Sequence, residues 1–125
     1  MYLLDTNIFL EILLDQEKSA ECKEFLNKNY DKILISDFSL HSIGVILFRY
    51  KKKEIFTKFI QDVVSEIKVL NLPSSEYQIF FKDFTSYQLD FDDFYQYSVA
   101  KYYDIQIVTM DSDFKQIKDI NVIFL

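Results

Sequence analysis

Asp5 ends the apolar run Tyr2-Leu3-Leu4, and Asp111 follows a second such run, Gln106-Ile107-Val108-Thr109. A short apolar run that stops at an acid reads as a buried parallel strand whose last residue emerges at the sheet's carboxyl edge. That edge is where open α/β sheets bind ligands, so a carboxylate delivered there is placed for chemistry. Asp92 and Asp93 stand at the front of a helical pattern, Phe94 to Tyr102, and Asp37 follows a third apolar run, Lys32-Ile33-Leu34-Ile35. If the first and fourth strands are neighbours, Asp5, Asp111 and the Asp92-Asp93 pair converge on one rim. Carboxylates gathered in this way repel one another and raise each other's pKa values unless a cation fills the space between them. Oxygen ligands without His or Cys companions select Mg²⁺ or Mn²⁺ rather than zinc. Such an ion binds phosphate oxygens and activates water for attack on a phosphodiester. Taken singly, Asp92, Asp93 or Asp111 could instead cap a helix or answer its dipole. The conjunction of acids at strand ends is what points to a site.

The elements that must position these acids come in chain order. Thr6 or Asn7 can cap an amphipathic helix through Ile8-Phe9-Leu10-Glu11-Ile12-Leu13-Leu14, and Ser19 to Asn29 continues helically. After the strand over 32–35, Ser36 or Asp37 is a natural cap for a helix through Leu40, Ile43, Ile46, Leu47 and Tyr50. Gly44 in mid-helix costs about 1 kcal/mol relative to Ala and suits close helix packing. Arg49, Lys51, Lys52 and Lys53 read first as solvated cations at a helix C-terminus, and second as a basic patch for RNA phosphates. Phe56, Phe59, Ile60, Val63 and Val64 recur at helical spacing, and Ile67-Lys68-Val69-Leu70 is a further strand. Pro73 starts a helix carrying the aromatic stripe Tyr77, Phe80, Phe81 and Phe84, read as core or partner surface rather than a base-stacking platform. Val122-Ile123-Phe124-Leu125 closes the sheet. Strands alternating with helices predict an α/β fold, a three-layer α/β/α sandwich around a parallel sheet of four to five strands, with residues 1–125 as a single domain.

Composition narrows the function classes. One Gly and one Pro leave no glycine-rich cradle for a nucleotide cofactor. Cys22, the only cysteine, argues against a disulfide framework and suits a reducing compartment. The N-terminus lacks the pattern of a secretory leader and no apolar run approaches a membrane span, so a cytoplasmic protein with no membrane association is expected. The formal charge of −6 gives no overall attraction for a polyanion. Nucleic acid binding then needs a local basic patch, a metal ion that reverses the sign of the site, or a basic partner. His41, the only histidine, reads as a hydrogen-bonded packing residue before it reads as a proton shuttle.

Three segments together carry a family resemblance: Leu3-Leu4-Asp5-Thr6-Asn7-Ile8, Asp93 with Ala100 seven positions on, and Ile107-Val108-Thr109-Met110-Asp111-Ser112-Asp113-Phe114. The chain resembles a PIN domain of the small, single-domain, VapC-like kind found among toxin nucleases of toxin–antitoxin operons. The resemblance implies Mg²⁺ or Mn²⁺ ligands at Asp5, Asp93 and Asp111, an additional acid at Asp113, and supporting polar residues at Asn7 and Thr109. It also implies cleavage of single-stranded RNA, an antitoxin protein partner and a homodimer. One departure stands out: where the family usually places a Glu, six residues beyond a Ser like Ser36, this chain has Ser42. Either Asp37 restores the fourth carboxylate from its strand end, or the site keeps a single ion. A catalytically weakened module that binds RNA or protein is the alternative reading. Aspartyl-phosphate chemistry at Leu4-Asp5-Thr6-Asn7 is disfavoured because Asn7 stands where a second acid is needed.

Overall fold

The structure, a computed structural model, describes residues 1–125 apart from the side chains of residues 83–85, so Phe84 of the aromatic stripe lies outside the described residues. Five strands form one sheet: β1 (Tyr2–Leu4), β2 (Ile33–Ser36), β3 (Lys68–Leu70), β4 (Gln106–Thr109) and β5 (Val122–Phe124). Their order is β3-β2-β1-β4-β5, and every pairing is parallel. Leu3 lies in register with both Leu34 and Ile107, which makes β1 the central strand and β4 its neighbour. The ladder runs one bond further, because the Asp5 amide donates to the Val108 carbonyl at 2.9 Å. Asp5 is therefore fixed to β4 before its side chain does anything.

Successive strand residues face opposite sides of the sheet, and each side carries its own core. Leu3, Leu34 and Ile107 pack with Phe94, Val99 and Ala100 of α6 (Phe91–Tyr103). Leu4, Ile33, Ile35 and Val108 pack with the helices of the other layer. Those are α1 (Thr6–Leu13), α2 (Ser19–Lys28), α3 (Asp37–Arg49) and α4 (Lys53–Asp62). The fold is thus the three-layer α/β/α sandwich with a five-stranded parallel sheet. Burying each such Leu, Ile or Phe side chain is worth about 1.5–3 kcal/mol, which is why short strands of three or four residues suffice to anchor the layers.

Some local details follow the sequence expectation, as Ser36 and Gly44 do, and others differ. Asp5 itself, rather than Thr6 or Asn7, caps α1, because the helix begins at once at Thr6 and the Asp5 side chain accepts from the Thr6 amide. Ser36 caps α3 by accepting from the Ser39 amide. The segment after Pro73 is a chain of short turns around α5 (Tyr77–Phe80) rather than one long helix. Cys22 is a core residue. His41 is exposed, not packed. Gly44 has a clear purpose: a Cβ there would stand 3.1 Å from Cζ of Phe56, so the missing side chain lets α3 and α4 close on each other. No helix among the described residues is long and apolar enough to cross a membrane.

Candidate metal centre

A cleft of about 270 Å³ opens at the carboxyl edge of the sheet. Asp5, Thr6, Asn7 and Leu10 line it from β1 and α1, Phe38, Ser42 and Ile46 from α3, Asp92, Asp93 and Gln96 from α6, and Asp111 from the end of β4. The parallel sheet explains this convergence. Adjacent parallel strands end on the same rim, so the residues just beyond β1 and β4 become neighbours although 104 positions separate Asp5 from Thr109. The first turn of α6 then brings Asp92 and Asp93 to that rim.

Asp5 is the most buried of the acids, at 6% exposed. Its Oδ1 accepts from the Thr6 amide at 2.8 Å and from Gln96 Nε2 at 3.3 Å, and its Oδ2 accepts from the Thr109 hydroxyl at 2.7 Å. Burial pushes its pKa up; those three donors pull the other way, and Asp111 adds a smaller upward push. Oxygen atoms of Asp93, Asp111 and Asp113 all lie within 4.8 Å of one another. Asp93 is pushed up to about 7, first by burial and then by the charges of Asp92, Asp5, Asp111 and Asp113. The position of Asp93 in the first turn of a helix favours its anion, yet burial and like charges outweigh the dipole. Asp111 also shapes the backbone beside it, since its Oδ1 accepts from the Asp113 amide at 2.9 Å and starts the turn over Ser112–Gln116. Asp113 is exposed at the outer side of this group.

The remaining sequence candidates divide clearly. Ser42 and Asn7 line the cleft, and Asp92 stands exposed at its rim. Thr109 is fully buried and reaches the site through its hydroxyl, which meets Asp5 and the Asp111 amide. Asp37 does not line the cleft. Its Oδ1 accepts from the Tyr95 hydroxyl at 2.6 Å and from the Phe38 amide at 2.8 Å, so that oxygen is engaged by α6 and by the start of α3. Arg49, Lys51, Lys52 and Lys53 are all exposed around the end of α3, and Lys53 Nζ lies 5.1 Å from the centre of the Phe48 ring.

Three polar residues at the site are not singled out by the sequence as site residues. Gln96 donates to Asp5 and, at 2.8 Å, to the Ser39 hydroxyl, which is itself 2.8 Å from the Thr6 hydroxyl. A signal for Gln96 is present: it stands three residues after Asp93, on the same helix face, inside a stretch otherwise made of core residues. A polar side chain in such a stretch needs a partner. Ser39 and Thr6 give no comparable signal, since both sit in the first turns of helices where hydroxyls are ordinary.

The donor set suits a hard divalent cation. It consists of carboxylate, amide and hydroxyl oxygens, with no His or Cys among the described lining residues. Two buried oxygens of residues lining the cleft, Asn7 Oδ1 and Gln96 Oε1, have no hydrogen-bond partner among the described residues. Buried acceptors without partners are uncommon, and a bound ion or its water would satisfy them.

A family model for the PIN domain matches residues 2–120, and the chain belongs to that family. Its fold is close to those of several solved structures. VapBC2 from Rickettsia felis, bound to a promoter DNA fragment, aligns with a TM-score of 0.77 and 20% identity over 97% of this chain and 96% of that one. A toxin–antitoxin complex from Klebsiella pneumoniae gives 0.78 and 19% over 96% and 95%. VapC20 of Mycobacterium tuberculosis, described as a sarcin-ricin loop cleaving toxin, gives 0.77 and 12% over 97% and 99%. No curated protein sequence matches the chain.

Proposed function

We propose that this PIN domain is a Mg²⁺- or Mn²⁺-dependent endoribonuclease that hydrolyses phosphodiester bonds of single-stranded RNA, as the toxin of a toxin–antitoxin pair. The observation that carries the reading is the gathering of Asp5, Asp93 and Asp111 from three separate elements around one cleft, with Asp93 raised to about 7 by burial first and by the neighbouring carboxylates second. Asp5, Asp93 and Asp111 would hold the cation, with Asp113 and Asp92 adding negative charge at the outer rim. When bound, the cation supplies a water of lowered pKa and neutralises the phosphate it faces. Thr109 and Thr6 fix the Asp5 carboxylate so that it meets the ion without rearrangement. Asn7 from α1 and Ser42 from α3 contribute neutral oxygens to the lining.

Support for a protein partner comes from two sources. The fold neighbours include complexes of toxin with antitoxin. On this chain an apolar groove runs between α3 and α4, lined by Gly44, Val45, Phe48 and Phe56, with Val45 56% and Phe48 50% exposed. An antitoxin or a second copy of the chain would cover it, and the working compartment in this reading is the cytoplasm.

Ser42 favours a second reading. A hydroxyl in the cleft wall binds a cation more weakly than a carboxylate, and Asp37 is turned to Tyr95. A domain that binds RNA or protein without turnover would fit a weakened site. The two readings separate in one assay with single-stranded RNA. A nuclease cleaves with Mn²⁺, stops in EDTA and is inactive as Asp5→Asn; cleavage that survives EDTA, or no cleavage by protein that has bound Mn²⁺, contradicts the nuclease.

A further inference from the structure

Gln96 is 2% exposed and stands on α6 three residues after Asp93, so both side chains reach the cleft from one helix face. Its Nε2 donates to Asp5 Oδ1 at 3.3 Å and to Ser39 Oγ at 2.8 Å. Asp5 dictates this orientation. Turned over, the amide would set its carbonyl oxygen against a carboxylate that cannot donate, whereas the Ser39 hydroxyl can accept from Gln96 and still donate to Thr6. The consequence falls on Oε1, which is left buried without a partner among the described residues. A buried acceptor left without a donor is unfavourable, so Oε1 is a group that gains from meeting a ligand.

Resting on the metal-site reading above, we propose that Gln96 is a positioning residue of this site whose carbonyl oxygen serves as a neutral ligand of the divalent cation. A carbonyl is an ordinary ligand for a hard cation. It adds an oxygen without adding charge, which matters where Asp5, Asp93 and Asp111 already crowd together. The two ends of the amide are coupled: an ion on Oε1 draws electron density from Nε2, and the N–H bonds to Asp5 and Ser39 strengthen. Gln96 thereby holds Asp5 more firmly when the cation is present than when it is absent. It also supplies an uncharged donor in a cleft whose α3 wall offers only Ser42.

The test uses the intact protein and two readouts other than RNA cleavage. In ¹⁵N-labelled protein, Mg²⁺ should shift the Gln96 side-chain amide pair, assigned through its own backbone, along the same titration curve as the Asp5 and Asp93 backbone amides. In calorimetry with Mn²⁺, Gln96→Met should weaken binding about 10-fold, in line with losses of residues that orient metal ligands. A cooperative thermal melt in EDTA should show that this variant is folded. Gln96→Glu, which keeps the oxygen, should bind Mn²⁺ at pH 8 within about 3-fold of the parent. A Gln96 amide unmoved at saturating Mg²⁺, or a Gln96→Met protein that binds Mn²⁺ as the parent does, overturns the proposal and leaves the metal site standing. A parent protein that binds neither ion overturns the metal-site reading itself.

Discussion

The Thr109 hydroxyl donates to Asp5 Oδ2 at 2.7 Å and accepts from the Asp111 amide at 3.0 Å, so one buried oxygen ties two acids of the cleft together. This link spans β1 and β4 and exists only because those strands are paired. Thr109→Val keeps the shape and removes the hydroxyl, leaving a buried carboxylate oxygen and a backbone N–H without their partner. The expected loss is about 1–3 kcal/mol in urea unfolding, together with weaker Mn²⁺ binding. Thr109→Ser should recover most of both. A Val variant as stable as the parent would show that the link is dispensable.

Acidity at the site sets a pH dependence of definite sign. Asp93 titrates at about 7 in the folded chain against an ordinary value of 3.8, and Asp5 is raised as well. Between those values the folded chain holds more protons than the unfolded one, so its stability falls as pH rises through 7. Metal-free protein should therefore melt at higher temperature at pH 5 than at pH 8, by the equivalent of roughly 1–2 kcal/mol after solvent screening. Mn²⁺ should reverse the order, because its binding displaces the proton and removes the repulsion. Thermal melts at both pH values, with EDTA and with Mn²⁺, check this. A metal-free midpoint that rises with pH contradicts the crowded-carboxylate account.

The Tyr95 hydroxyl donates to Asp37 and accepts from the buried Leu72 amide at 3.0 Å. Tyr95→Phe should cost about 1–3 kcal/mol, since the Leu72 N–H then has no acceptor. Mn²⁺ affinity should stay within about 2-fold if Asp37, held by Tyr95, takes no part in binding the ion. A large loss of affinity would return Asp37 to the site.

Much of this geometry is legible in the sequence because it depends on local periodicity. Short apolar runs ending in Asp5 and Thr109 are strands in any α/β arrangement, and parallel pairing of β1 with β4 then places the next residues of both strands on one rim. Asp37 shows where such reasoning stops. Its position after β2 mirrors that of Asp5 after β1, yet it is taken up by a tyrosine 58 residues away, a tertiary partner that no local pattern announces. Gln96 shows the converse. It looks like an ordinary helical residue until Asp5 and Ser39 are seen on either side of its amide. The broken segment after Pro73 reads as one helix because its aromatics recur at helical spacing, while the chain divides Tyr77, Phe80 and Phe81 among short turns, with Phe80 and Phe81 packed on the core cluster that includes α6.

Calorimetric titration of Mn²⁺ into the metal-free protein at pH 8, repeated with Asp5→Asn and Asp93→Asn, tests most directly whether these acids form one cation site. Saturable binding by the parent, lost or weakened at least about 10-fold in both variants while both remain folded, is the expected result. Absence of binding at millimolar Mn²⁺, or binding unchanged by either substitution, would contradict it.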